Sequence, residues 1–242
     1  MKLAVFGDIH GNSRALEAVL ADMDSLKVDA RICLGDLAFR GPDPQGAIER
    51  VFGAGLDGVV VGNTDQWLFR GFPEGFAPGE EKLKRLTTFR EWVLERIDAK
   101  SLKALESLPM STTVKLEGHT VTVVHASPSS TEAWFDASLP DQELLKIFKG
   151  AGPCDILVCG HIHTPYVRRI NRRWVVNTGS VGNPIDGDYR ASYALFTAEN
   201  GGLSIQIRRV PYDVVETGED AVKAGFPFAT QYAEAIRCGA QF

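Results

Sequence analysis

A chain of 242 residues with 44% hydrophobic content is long enough for one large domain or two small ones. Its net charge of −5, from 26 Lys and Arg against 31 Asp and Glu, lacks the basic footprint of a duplex nucleic-acid binder. The four cysteines form no C-x-x-C pair and indicate neither a disulfide scaffold nor a thiolate zinc site, and no apolar stretch reaches the length of a membrane span.

The opening MKLAVFGDIHGN breaks into acid and glycine too early for a signal peptide, so a cytoplasmic protein is expected. Lys2 to Phe6 reads as a strand. A turn follows, then a helix from about Ser13 to Met23, capped by Asn12 or Ser13, with Leu16, Val19, Leu20 and Met23 at helical spacing. ARICLG (30–35) predicts a second strand running into Asp36, DPQGAIERVFGAG a helix stopped by glycine, and LDGVVVGN a third strand. Strand and helix alternating at this spacing argue for a parallel α/β sheet. From Gln66 to about Leu108 the chain turns charged and helical, with Leu83, Leu86, Phe89, Trp92, Val93 and Ile97 on one face. Trp67, Phe69, Phe72 and Phe76 at its start are read as core of this segment, with base stacking as the alternative.

After Pro109 strands return. TTVKLEGHTVTVVHASP predicts a hairpin around Glu117–Gly118–His119, followed by 154–160, RWVVNTGS, SYALFTAENGGLSIQIRRV and two short helices, together implying a second, more antiparallel sheet. Within CDILVCGHIHTPY the apolar run ends at His161 and His163; if the chain stayed extended, this i, i+2 pair would point both imidazoles one way.

Five motifs fall where strands end: GDIHG (Asp8, His10), LGDLAFRGP (Asp36, Arg40), VGNTD (Asn63, Asp65), VVHASP (His125) and CGHIHTP (His161, His163). Ligands bind at the carboxyl ends of the strands in open α/β sheets, so these loops are expected to converge. Singly, each motif has an ordinary explanation as a turn residue, a helix-entry residue or a hydrogen-bonded core histidine. As a set, four histidines, two aspartates and one asparagine exceed one tetrahedral zinc and suit two ions. His119 has no partner motif and is assigned to the surface.

The order D-x-H, G-D, G-N, H, G-H-x-H resembles the calcineurin-like metallophosphoesterases from residue 4 to about residue 190, and NTGSVGNPIDGDYRASYALF is similar to their small bacterial branch, which includes phosphodiesterases and diadenosine polyphosphate hydrolases. The resemblance implies an α/β fold, a four-layer α/β/β/α sandwich of two mixed sheets, as a single domain over 1–242 with a helical cap insertion at about 66–108. It implies two divalent ions (Mn, Fe or Zn), one held by Asp8, His10, Asp36 and His163 and the other by Asp36, Asn63, His125 and His161, with Asp36 bridging. Such a pair clamps phosphate oxygens and supplies a metal-bound hydroxide as nucleophile, which suits a chain without G-x-S-x-G or a P-loop. Arg40, four residues after Asp36, matches a phosphate-binding arginine of related phosphatases, and Asn63 is expected to contact substrate as well as metal.

Many relatives carry Gly-Asn-His-Asp/Glu, whose histidine assists the leaving group; here the motif is GNTD, which leaves Asp65 as the expected catalytic proton donor if burial raises its pKa. The implied function is hydrolysis of phosphodiester or phosphoanhydride bonds in small nucleotide or dinucleoside polyphosphate substrates. The alternatives are a phosphomonoesterase or protein-phosphatase-like activity, and a non-catalytic scaffold like the retromer subunit of this family. The presence of all seven ligands favours the enzyme. A homo-oligomer is compatible with the chain, and no sequence feature specifies one.

Overall fold

Lys2–Phe6 forms strand β1, and its alternation shows how the layers stack. Leu3 and Val5 point one way, into a cluster with Ile32, Leu34, Val121, Val123, Ile156, Val158 and Val176; Ala4 and Phe6 point the other way, against Leu16, Val19 and Met23. A strand buried on both faces has to lie inside a sandwich. Each fully buried Leu, Val or Phe contributes about 1.5–3 kcal/mol relative to exposure.

The computed structural model describes residues 1–240. Among them, one five-stranded sheet runs β10 (Gly202–Val210), β9 (Ala191–Glu199), β1, β2 (Ala30–Cys33), β3 (Gly58–Val59). The other runs β4 (Ser111–Leu116), β5 (His119–Val124), β6 (Ile156–Cys159), β8 (Arg173–Asn177), β7 (Tyr166–Ile170). Helix α1 (Ser13–Ser25) lies on the outer face of the first sheet, and α6 (Asp141–Gly150) covers the second through Leu144 and Phe148, which meet Val124, Leu157, Cys159 and Val175. The expected four-layer α/β/β/α sandwich of two mixed sheets is the observed fold.

Several details depart from the sequence expectation. The hairpin β9–β10 joins the first sheet, where β9 pairs antiparallel with β1, so the two sheets carry the same mixture of parallel and antiparallel pairs. The third strand shrinks to Gly58–Val59 because the Val61 N–H leaves the ladder to donate to Pro109 O at 2.9 Å. Helix α6 and strand β7 were not anticipated. Helices α2 (Pro44–Gly53), α3 (Asn63–Arg70), α4 (Glu80–Leu94) and α5 (Ala99–Glu106) fall close to expectation, as do α7 (Val214–Lys223) and α8 (Ala229–Cys238). His119 begins β5 opposite Leu116 and is half-buried, rather than sitting in the turn at the surface.

Candidate metal centre

The carboxyl ends of β1, β2, β5 and β6, together with the first turn of α3, carry all seven expected ligands. Crossed backbone bonds lock the loops together: the N–H groups of Ile9 and His10 both donate to Asp36 O at 2.9 Å, and Gly160 N–H donates to His125 O at 2.8 Å. The turns are sharp. Asp8, His10, Asp36, Arg40, His161 and His163 all have positive φ, from 50° to 72°. His161 and His163 are therefore not an extended i, i+2 pair; each sits in the left-handed region, and their imidazoles reach different parts of the centre.

Second contacts fix which ring nitrogen faces inward. His10 Nδ1–H donates to Phe39 O (2.8 Å), His125 Nδ1–H to Leu34 O (2.9 Å) and His163 Nδ1–H to Asn183 O (2.7 Å), leaving each Nε2 lone pair directed at the centre. There His10 Nε2 and His163 Nε2 stand 3.0 Å apart, and His125 Nε2 stands 2.9 Å from Asn63 Oδ1, which is 3.1 Å from His161 Nδ1. Acceptors that face one another this closely require a proton or a cation between them. Asp8 Oδ1 is buried without a hydrogen-bond partner, 3.3 Å from His163 Nε2, while Asp8 Oδ2 accepts from His161 N–H at 3.0 Å. Asp36 divides its oxygens similarly. Oδ1 accepts Thr64 N–H (2.9 Å), and Oδ2 lies 3.8 Å from His10 Nε2 and 3.6 Å from His125 Nε2. Ligand atoms of Asp8, His10 and His163 fall within 4.8 Å of one another, as do those of Asp8, Asp36 and His125. This buried N/O donor set fits a divalent ion on each side of Asp36. Gly62 makes room for the Asp36 carboxylate, with which a Cβ there would collide.

The charges agree with that fit. Burial, reinforced by His163, holds His10 well below its ordinary value, and burial with His125 lowers His161 to about 3, so both are neutral ligands at neutral pH. Burial would raise Asp8, but His163, His125 and His10 outweigh it and hold the carboxyl below the usual range. Burial with Asp8 pushes Asp36 up, and Asp36 and Asp8 raise His125 against the opposing effect of burial. Two aspartates and four histidines thus crowd one buried site, and the directions of their shifts record that crowding.

A cavity of about 200 Å³ opens onto this cluster, lined by His10, Asp36, Asn63, His161 and His163 together with Arg40, Thr64, Trp67, Phe76 and Lys82. Arg40 faces it with Nε buried and unpartnered, and burial lowers its pKa. Asp65 is placed differently from its expected catalytic role. It is fully buried and absent from the cavity wall, with Oδ2 accepting the N–H groups of Asp36 (2.8 Å) and Gly62 (3.0 Å) and Oδ1 that of Leu37 (2.9 Å). Burial and then Asp36 push its carboxyl up to about 6 against those three donors, which leaves it ionised at neutral pH. It ties the start of α3 to the loop that carries Asp36, and no oxygen remains to serve a leaving group.

Phe69 and Phe72 pack within the helical segment as expected, whereas Trp67 and Phe76 both pack there and line the cavity. Sequence reasoning missed several cavity residues, Asn183, Trp134 and Glu132 among them. Asn183 has a buried, unpartnered Oδ1, Trp134 is 68% exposed with its ring edge-on to His161 at 6.0 Å, and Glu132 accepts from Trp67 Nε1 (2.8 Å) and Asn63 Nδ2 (3.4 Å). Glu132 and Trp134 lie in SPSSTEAW, a stretch with no metal or catalytic pattern.

Comparison with known proteins gives these features a family. Residues 1–201 match the calcineurin-like phosphoesterase superfamily domain. An uncharacterised protein of Methanocaldococcus jannaschii is 30% identical over 244 residues, covering 93% of each chain. The structure is similar to a metallophosphoesterase from Sphaerobacter thermophilus, with a TM-score of 0.77, 26% identity and coverage of 99% of this chain and 100% of that one. It shares its fold with a hypothetical protein of Pyrococcus horikoshii, with a TM-score of 0.83, 21% identity and coverage of 100% and 99%. The chain thus belongs to the calcineurin-like phosphoesterase superfamily and is a metal-dependent phosphoesterase, of a family that binds divalent metals at a dinuclear site.

Proposed function

We propose that the chain hydrolyses phosphodiester or phosphoanhydride bonds in small nucleotide-type substrates, dinucleoside polyphosphates among them. Asp8, His10, Asp36 and His163 would hold one ion, and Asp36, Asn63, His125 and His161 the other. Manganese, iron and zinc all suit this donor set. When bound, such a pair polarises the phosphate, clamps its oxygens and activates water.

The chain's own residues do the rest. Arg40 presents a guanidinium to the cavity, where it holds phosphate oxygens and opposes the negative charge that builds in the transition state. The observation that carries the substrate reading is Thr64. It lines the cavity beside Asn63, where many relatives carry a histidine, and a neutral alcohol is a poor general acid. With Asp65 committed to three backbone donors and both Glu132 oxygens facing N–H groups, neither carboxylate is placed to protonate a leaving group, which favours one that departs on its own. A nucleotide phosphate, whose second pKa is about 6, does so readily. An alkoxide does not.

The test is the slope of log rate against leaving-group pKa for aryl phosphodiesters with manganese. A steep negative slope is expected, together with turnover of phosphoanhydrides above that of alkyl monoesters. A flat slope with efficient alkyl monoester hydrolysis overturns the substrate reading.

A further inference from the structure

Asn63 is the one carboxamide in the ligand set, and an amide creates an orientation problem. The two ends of a side-chain amide have nearly the same shape. Oδ1 has lone pairs to offer an ion, whereas Nδ2 offers only N–H groups. If the amide turns over, the second ion loses a ligand and meets two donors. Something has to select the end that faces inward, and the neighbours on the far side make that selection.

On the far side stands Glu132. A carboxylate accepts hydrogen bonds and cannot donate them, so it draws Nδ2 outward; Oε2 takes it at 3.4 Å while Oδ1 faces His125 and His161. Glu132 is itself anchored. Its other oxygen accepts the indole N–H of Trp67 at 2.8 Å, and Trp67 lies four residues after Asn63, one turn along α3 and therefore on the same face. The loop that brings Glu132 is docked onto that helix a second time, through Thr131 Oγ1 and Gln66 Oε1 at 3.0 Å. The Trp67 ring packs in turn against Phe39 at 5.5 Å and Phe72 at 5.3 Å, which fixes where its N–H points.

We propose that Glu132 is a positioning residue: braced by Trp67, its carboxylate fixes the Asn63 amide with Oδ1 toward the second ion. The inference rests on the two-ion assignment above, and it predicts a selective defect. The ion on the Asp8, His10 and His163 side does not depend on Asn63, whereas the ion on the His125 and His161 side does.

The experiment is equilibrium dialysis against Mn(II) with metal analysis, joined to electron paramagnetic resonance of the bound manganese. It is run on the wild-type protein, Glu132→Ala, Trp67→Phe, Asn63→Ala and the Asn63→Ala/Glu132→Ala double variant. Glu132→Ala is expected to keep the first ion, bind the second about 10- to 100-fold more weakly and lose the spin-coupled two-ion signal. Trp67→Phe keeps the carboxylate without its brace and is expected to show a smaller loss of the same kind. In the Asn63→Ala background, removing Glu132 should add nothing. Two ions bound with wild-type affinity in Glu132→Ala overturn the proposal. Equal weakening of both ions overturns it too, since it marks a general structural role. A further loss in the double variant shows instead that Glu132 acts on the ion directly. If Glu132→Ala does not fold, wild-type affinity for both ions in Trp67→Phe overturns it. A wild-type protein that binds only one ion refutes the two-ion assignment itself, a separate outcome.

Discussion

Asp65→Asn distinguishes a carboxylate that organises the site from one that donates a proton. The substitution keeps the shape and leaves one acceptor oxygen for three buried N–H groups. With that oxygen at the Oδ2 position, the Asp36 and Gly62 donors are kept and an NH2 group confronts the Leu37 N–H, 2.9 Å away in the native protein. Losing a hydrogen bond to a charged acceptor and orphaning its donor costs about 3–5 kcal/mol, of which relief of the buried charge returns part, leaving about 2–4 kcal/mol. In a chain of this length each kcal/mol moves the melting temperature by about 2–4 °C, so a fall of roughly 4–16 °C is expected. The assay is thermal unfolding of both proteins in EDTA, which removes any contribution from bound metal, followed by measurement of manganese content. Metal content should fall as well, because Asp65 fixes the backbone that bears Asp36. An unchanged melting temperature, with lost activity and a missing limb in the pH–rate profile, would refute this reasoning and make Asp65 the acid.

Arg40→Ala is expected to lower kcat/KM by about 10²–10³ while leaving metal content unchanged, because the guanidinium faces the cavity and cannot itself ligate an ion. Its melting temperature should not fall, since a buried cation with an unpartnered Nε contributes little to stability; unaltered kinetics would return Arg40 to the loop. The pH dependence of metal binding follows from His125, whose pKa is raised by Asp36 and Asp8 over the opposing effect of burial. Below that raised value the metal-free site holds a proton that an ion displaces, so affinity falls as pH falls through it, and the proton release disappears well above it. Calorimetry in two buffers of different ionisation enthalpy reads the release, and none at pH 6.5, the ordinary histidine value, contradicts the assignment.

The site was legible where it was local in sequence. Asp8, His10, Asp36, Asn63, His125, His161 and His163 each close a short apolar run with a polar, often glycine-containing turn, and period-2 strands aim such turns at a sheet edge. What was not local was not legible. The segment 191–210 is an ordinary hairpin by pattern, and nothing within it states that β9 will pair with β1, nearly the whole chain away. Val60 and Val61 have strand propensity, but the partner that draws the Val61 N–H out of the ladder is Pro109. Asp65 was read as a proton donor because Thr64 stands where many relatives carry histidine, and the three N–H groups it accepts come from loops that only the fold assembles. Glu132 and Asn183 belong to no motif, because their role is set by what they touch.

Six of the eleven non-glycine residues with positive φ among the described residues are Asp8, His10, Asp36, Arg40, His161 and His163. Each such residue holds a conformation that costs of order 1 kcal/mol or more and persists only because its surroundings impose it. The ions that the aspartates and histidines among them would bind therefore act on the whole molecule, since anything that binds the folded form alone draws the chain out of its unfolded population. Shortage of metal would then show as a shrinking pool of this protein, open to proteases as its folded fraction declines, and not as a full-sized pool of idle enzyme. Supply of the ion and survival of the chain become one variable.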